Sequence, residues 1–168
     1  KNSRYLKIEK ENKKIVAFIV GGPNKYYNFS ESHVDKMFNQ IKTLFMPDKY
    51  KLIVIPSYRT PEEIIKKAHN TFSHNHLVIK KIDKKAYLSS LDLADIIVVT
   101  CDSTSMISEA AITSKPIYIA NIMPKRNDLR FQKFRNLFRK LNITRNLGEE
   151  IENWNYQKLD ETNRVANI

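Results

Sequence analysis

The chain has 168 residues, one cysteine and a formal net charge of +11 at pH 7. That length suits one domain, able to bury roughly 70% of its unfolded surface without staples. A single thiol excludes a disulfide framework and a multi-cysteine metal site, and no apolar run reaches the ~20 residues of a membrane span. The positive charge admits nucleic acid, anionic membrane or phosphate ligands as partners. Lysine, however, is spread along the whole chain, as on a solvated surface. The bases do not interleave with aromatics as in single-strand binders, and no finger, zipper or RNA-binding-sheet motif is present. Nucleic acid is therefore not an expected partner.

Residues 1–14 are charged and read as a linker or the tail of a missing N-terminal domain. The chain opens on Lys1 rather than methionine. "IVAFIV" (15–20) predicts a strand buried on both faces. It runs into "GGPNKYYNFS" (21–30), where Gly21 and Gly22 permit close backbone approach or a positive φ and Pro23 ends the strand. The dinucleotide pattern GxGxxG and the P-loop GKS/GKT are both absent. A simple turn explains the glycine pair equally well. Val34, Met37, Phe38, Ile41 and Phe45 then make one apolar helix face.

"KLIVIP" (51–56) is a second strand, followed by "PSYRTP". Ser57 offers a hydroxyl there, and Arg59 stands just before a helix mouth, where amide hydrogens attract anions. An exposed loop arginine is the plainer alternative. "TPEE" (60–63) predicts a helix start, with Thr60 as cap, Pro61 in the first turn and Glu63 closing a capping box. Ile64, Ile65, Ala68 and Phe72 form its apolar face. His69, His74 and His76 gather near one loop but lack a further ligand group, and read as surface histidines. "HLVIK" (76–80) is a third strand, "AYLSSLDLA" (86–94) a short helix and "DIIVVT" (95–100) a fourth strand. Cys101 ends that strand as a buried core thiol rather than a nucleophile.

The most informative stretch follows. Asp102, Ser103, Thr104, Ser105 and Ser108 crowd the mouth of one helix, which carries a single acid, Glu109. Ser103 or Thr104 can cap it. Glu109 does not complete a capping box, because the residue three positions earlier is Met106. It lies four residues after Ser105, on the same face. There a carboxylate can accept hydrogen bonds from two neighbouring hydroxyls, such as those of a ribose, while the free amides of the helix start meet phosphates. A surface acid paired with a lysine is the alternative. "PIYIA" (116–120) is a fifth strand. "FQKFRNLFRKL" (131–141) is a helix with Phe131, Phe134, Leu137, Phe138 and Leu141 packed inward and a solvated basic face bearing Lys133, Arg135 and Lys140. Packing is favoured there over a helix lying on a membrane. Residues 142–159 look irregular, and "LDETNRVANI" (159–168) looks like a last short helix.

Strands alternating with amphipathic helices predict an α/β fold with a doubly wound parallel sheet. Ligands of such sheets bind beyond the carboxyl ends of the strands. The candidate ligand-binding residues are Gly21, Gly22, Ser57, Arg59, Thr60, Asp102, Ser103, Thr104, Ser105, Met106, Ser108 and Glu109. No catalytic group, metal or cofactor is assigned.

"GGPNKYYNF", "PSYRTP", "LADIIVVTCDSTSMISEAAITSKPIYI", "RFQKF" and "LDETNRVA" together resemble the mitochondrial fission Elm family, which also has bacterial members. The resemblance runs from about Val16 to the C-terminus. It implies that residues 15–168 are the C-terminal, nucleotide-binding half of a GT-B-like protein, two Rossmann-like domains facing a cleft, with the N-terminal half absent. The central stretch is also similar to the nucleotide-sugar segment of GT-B glycosyltransferases. That likeness implies Ser103 and Ser105 beside the diphosphate, Glu109 on the ribose, Gly21 and Gly22 facing the cleft and Arg59 as a phosphate partner. The partner implied is a nucleoside diphosphate sugar, with a membrane-associated acceptor, at a cytoplasmic site or the cytoplasmic face of a membrane. A scaffold acting in membrane or organelle division and a sugar-nucleotide epimerase are the competing expectations. An epimerase needs acid/base residues in this half, and none is visible.

Overall fold

β-Branched runs pair side by side because both faces of each strand are apolar and need cover. In the computed structural model, residues 5–148 and 150–157 are described. The strands are β1 (Lys14–Val20), β2 (Tyr50–Pro56), β3 (Leu77–Val78), β4 (Ile96–Thr100), β5 (Ile117–Ala120) and β6 (Thr144–Asn146). The helices are α1 (Glu31–Leu44), α2 (Glu62–Phe72), α3 (Lys84–Leu93), α4 (Thr104–Ala111) and α5 (Leu129–Lys140). The sheet runs β3-β2-β1-β4-β5-β6, and every pair is parallel. This is the doubly wound, Rossmann-like α/β arrangement expected from the sequence. Its strand order reverses between β1 and β4, the point at which open sheets of this kind leave a crevice.

Alternation along β1 and β2 divides the core. Phe18 meets Phe38 of α1 and Phe72 of α2 edge to face, with centroids 6.0 and 6.2 Å apart. Ile15, Ile53 and Ile55 pack instead with Ala86 of α3, where Leu6 and Ile8 of the N-terminal stretch join them. Each well-packed aromatic pair adds about 0.5–1.5 kcal/mol beyond its buried area.

Five expectations need correction. The third strand is two residues long and half-buried, because it is the sheet edge and has one neighbour. The stretch beginning at residue 142 holds a sixth strand, β6, whose Thr-Arg-Asn sequence carries no apolar run. α2 begins without a side-chain cap, since the Thr60 hydroxyl is turned elsewhere. In α5 Phe138 alone is fully buried; Phe131 and Phe134 pack partly, while Leu137 and Leu141 are 50% and 40% exposed. That helix lies along the edge at β5 and β6, so its contact with the core is narrower than its apolar face. Arg135, expected in solvent, is turned inward. The expected helix at 159–168 lies outside the described residues.

Candidate functional site

Three loops leave the carboxyl ends of β1, β2 and β4, and Asp102 ties them together. Its side chain has no exposure and forms an ion pair with Arg59 of the second loop. The same oxygen accepts from the Gly22 amide of the first loop at 3.3 Å. The Asp102 carbonyl accepts from Asn24 Nδ2, also at 3.3 Å. Gly21 donates to Thr100 Oγ1 at 2.8 Å. Neither glycine has a positive φ. What they supply is space: a Cβ on Gly21 would strike the Asp102 carboxylate, and one on Gly22 the Arg59 carbonyl. Both are buried beneath the loops.

Thr60 is the second fastener. Its hydroxyl faces the Val20 and Gly21 carbonyls at 2.9 and 2.8 Å and accepts from the Ser57 amide at 2.8 Å. A threonine before a proline gives the same local signal for a cap as for this staple, and only the distant carbonyls distinguish them.

Above this floor lies a cleft of about 320 Å³ between the β2–α2 loop, α3 and α4. Ser57, Arg59, Ser103, Ser105, Met106 and Glu109 line it, as the sequence suggested. Gly21, Gly22, Thr60 and Asp102 underlie it, and Thr104 and Ser108 do not reach its lining. Ser103 is the α4 cap: its Oγ accepts from the Met106 amide at 3.3 Å and stands 3.2 Å from Ser105 Oγ. By helix geometry the Thr104 and Ser105 amides have no intrahelical partner. Arg59, 41% exposed, holds its guanidinium at the same mouth. The cleft therefore sets a guanidinium, already paired with Asp102, and hydroxyls at one end and a carboxylate at the other.

The sequence did not reveal what holds that carboxylate. Tyr87 of α3 donates its phenol to Glu109 Oε2 at 2.6 Å. Burial, and then this bond to Glu109, raise the Tyr87 phenol well above its usual range, so it stays a donor. Tyr58, 85% exposed, and Ile82, 45% exposed, form an apolar rim. A tyrosine within "AYLSSLDLA" gives no local sign of a partner 22 residues on.

A second network braces the first loop from the other side. Tyr27 donates to Asp128 Oδ2 at 2.5 Å. Arg135 reaches Tyr27 Oη at 2.9 Å, the Cys101 carbonyl at 3.1 Å and Asp128 at 3.3 Å. Burial alone would raise the Asp128 carboxyl, but bonds from Tyr27, Gln132 and Arg135 outweigh it and hold it low. Burial pushes the Cys101 thiol up to about 11, in keeping with a core thiol.

Comparison with known proteins agrees with this architecture. A family model described as mitochondrial fission ELM1 matches residues 2–168. An uncharacterised protein of Rickettsia prowazekii is 30% identical over 93% of this chain and 46% of its own length. The mitochondrial fission protein ELM1 of Arabidopsis thaliana is 28% identical over 66% of this chain and 26% of its own length. The chain thus spans less than half the length of these curated relatives. Among solved structures, UDP-GlcNAc 2-epimerase from Neisseria meningitidis bound to UDP-GlcNAc superposes with a TM-score of 0.51. It is 13% identical, over 83% of this chain and 33% of that one, a likeness of fold.

Proposed function

The chain belongs to the mitochondrial fission ELM1 family, and from that premise we propose that it binds a nucleoside diphosphate sugar as one half of a GT-B-type glycosyltransferase. The observation that carries this reading is the cleft itself. Glu109, Ser103, Ser105 and Arg59 face one cavity at the point where the strand order reverses. The ribose hydroxyls donate to Glu109, whose Oε2 already holds Tyr87 and whose other oxygen is open to the ligand. The diphosphate sits at the α4 mouth, between the Thr104 and Ser105 amides, the serine hydroxyls and Arg59.

In this proposal transfer leaves a nucleoside diphosphate, whose negative charge grows as the glycosidic bond breaks. Donors fixed before that moment stabilise the departing phosphate more than the bound sugar nucleotide, and so lower the barrier. Asp102 holds Arg59 in place for this. The acceptor and the group that takes its proton belong to the facing half. The Neisseria protein's UDP-GlcNAc makes uridine compounds the first to try.

Thermal unfolding with a panel of nucleoside diphosphates and their sugars tests the reading. At a hundredfold excess over its Kd, a bound ligand stabilises by ~2.7 kcal/mol. For a domain of this size that raises Tm by about 5–10 °C. No shift with any member of the panel would overturn the proposal.

A further inference from the structure

The outward side of α5 has no role in the nucleotide cleft, and its composition is unusual. Leu129 is 51% exposed, Leu137 50% and Leu141 40%, and Met123 just before the helix is 72% exposed. Lys125, Arg126, Arg130, Lys133, Arg139 and Lys140 are exposed around them. The sole acid between residues 121 and 141 is Asp128, which is buried with Arg135. Among the described residues, none of those exposed bases enters an ion pair.

At 3.6 residues per turn, Leu129, Arg130, Lys133, Leu137, Lys140 and Leu141 fall within about a third of the helix circumference. Leucines and bases therefore interleave on one face. The helix's aromatic residues pack on the core beside this face: Phe134 stacks on Phe138 with centroids 4.4 Å apart, and Phe131 meets Tyr27 edge-on at 5.7 Å.

We infer that this face docks on an anionic lipid surface. Bases meet the headgroups, and Leu129, Leu137 and Leu141 enter the boundary below them, as lysine and arginine stems allow. Single-stranded nucleic acid fits less well, since it calls for exposed aromatic platforms and gains little from leucine. A site there would hold the cleft beside a membrane, within reach of a lipid-linked acceptor. The docking itself does not depend on the nucleotide proposal.

Co-sedimentation with vesicles tests it. Each base near an anionic surface contributes about a fivefold factor in affinity. The chain is expected to bind phosphatidylcholine–phosphatidylglycerol vesicles, to ignore phosphatidylcholine alone, and to release in high salt. Replacing Arg130, Lys133 and Lys140 with Gln is expected to weaken binding roughly a hundredfold. The control changes Lys36, Lys42 and Lys49 to Gln, with the same loss of charge far from α5, and is expected to bind nearly as wild type. Replacing the three leucines with Ser is expected to lower vesicle binding while far-UV circular dichroism stays unchanged. No binding to the anionic vesicles overturns the inference. So does an equal loss in the two lysine and arginine sets, full binding by the leucine variant, or a preference for single-stranded RNA over vesicles.

Discussion

Asp102 is buried completely, yet its Oδ2 takes both Arg59 and the Gly22 amide while Oδ1 has no partner among the described residues. A buried carboxylate tolerates this because its charge is matched by one guanidinium, and removing either partner strands the other. Gly21→Ala is expected to cost about 1–3 kcal/mol, since its new methyl must displace that carboxylate. Urea unfolding of the alanine variant, with wild type beside it, measures the loss. His76 offers a separate check. Its Nδ1 accepts from the Leu52 amide at 3.1 Å, which requires the neutral ring. Burial, aided by Lys51 and Lys13, pushes its pKa down to about 4 from an ordinary 6.5. Between those values the unfolded chain binds more protons than the folded one, so stability falls as pH drops from 6.5 towards 4. His76→Gln is expected to flatten that part of a pH series of urea midpoints; an unchanged slope would assign the effect to other groups.

At the scale of elements, the loop between β2 and α2 depends on one hydroxyl. Thr60→Val keeps the shape but takes the hydroxyl donor from the Gly21 carbonyl, while the Ser57 amide keeps the Val20 carbonyl at 3.1 Å; the cost is about 1–3 kcal/mol, whereas Thr60→Ser stays close to wild type. Chemical denaturation of the pair checks the staple: a loss in the serine variant like that in the valine variant, or no loss in either, would contradict it. In α5, Phe138→Ala is expected to lose about 3–5 kcal/mol and Leu137→Ala less than about 0.5 kcal/mol. The apolar runs of β1, β2, β4 and β5 were legible because each is short, β-branched and buried on both faces. β6 was not, because a polar edge strand resembles a loop until its neighbour is known. The hydroxyl cluster and the misplaced acid at residue 109 were legible from spacing along one helix. The partners that set their geometry, Tyr87 on Glu109 and Tyr27 with Asp128 and Arg135, lie 22 to 108 residues apart in the chain. No local pattern encodes such pairs. α5 misled for the opposite reason: periodicity marks which residues share a face but not how wide a core that face meets.

At the scale of the molecule, everything assigned to the ligand lies beyond the carboxyl ends of the central strands, around the reversal between β1 and β4. The loops there are held by ion pairs and hydroxyl staples as well as by the packing of Tyr26 and Tyr27 on Phe131. That leaves polar groups aimed at a cleft above an apolar core. The most direct test is a calorimetric titration of the panel's strongest-binding nucleoside diphosphate and of its nucleoside. It compares wild type, Arg59→Ala with Asp102→Asn, and Glu109→Gln. A charge-assisted bond contributes about 1.5–3 kcal/mol, so Arg59→Ala, made together with Asp102→Asn so that no charge is left buried alone, is expected to weaken the diphosphate ~10–100-fold and to leave the nucleoside nearly unchanged. Glu109→Gln is expected to weaken both alike, because both carry the ribose. Equal affinities across all three proteins would contradict the assignment of phosphate to Arg59 and ribose to Glu109.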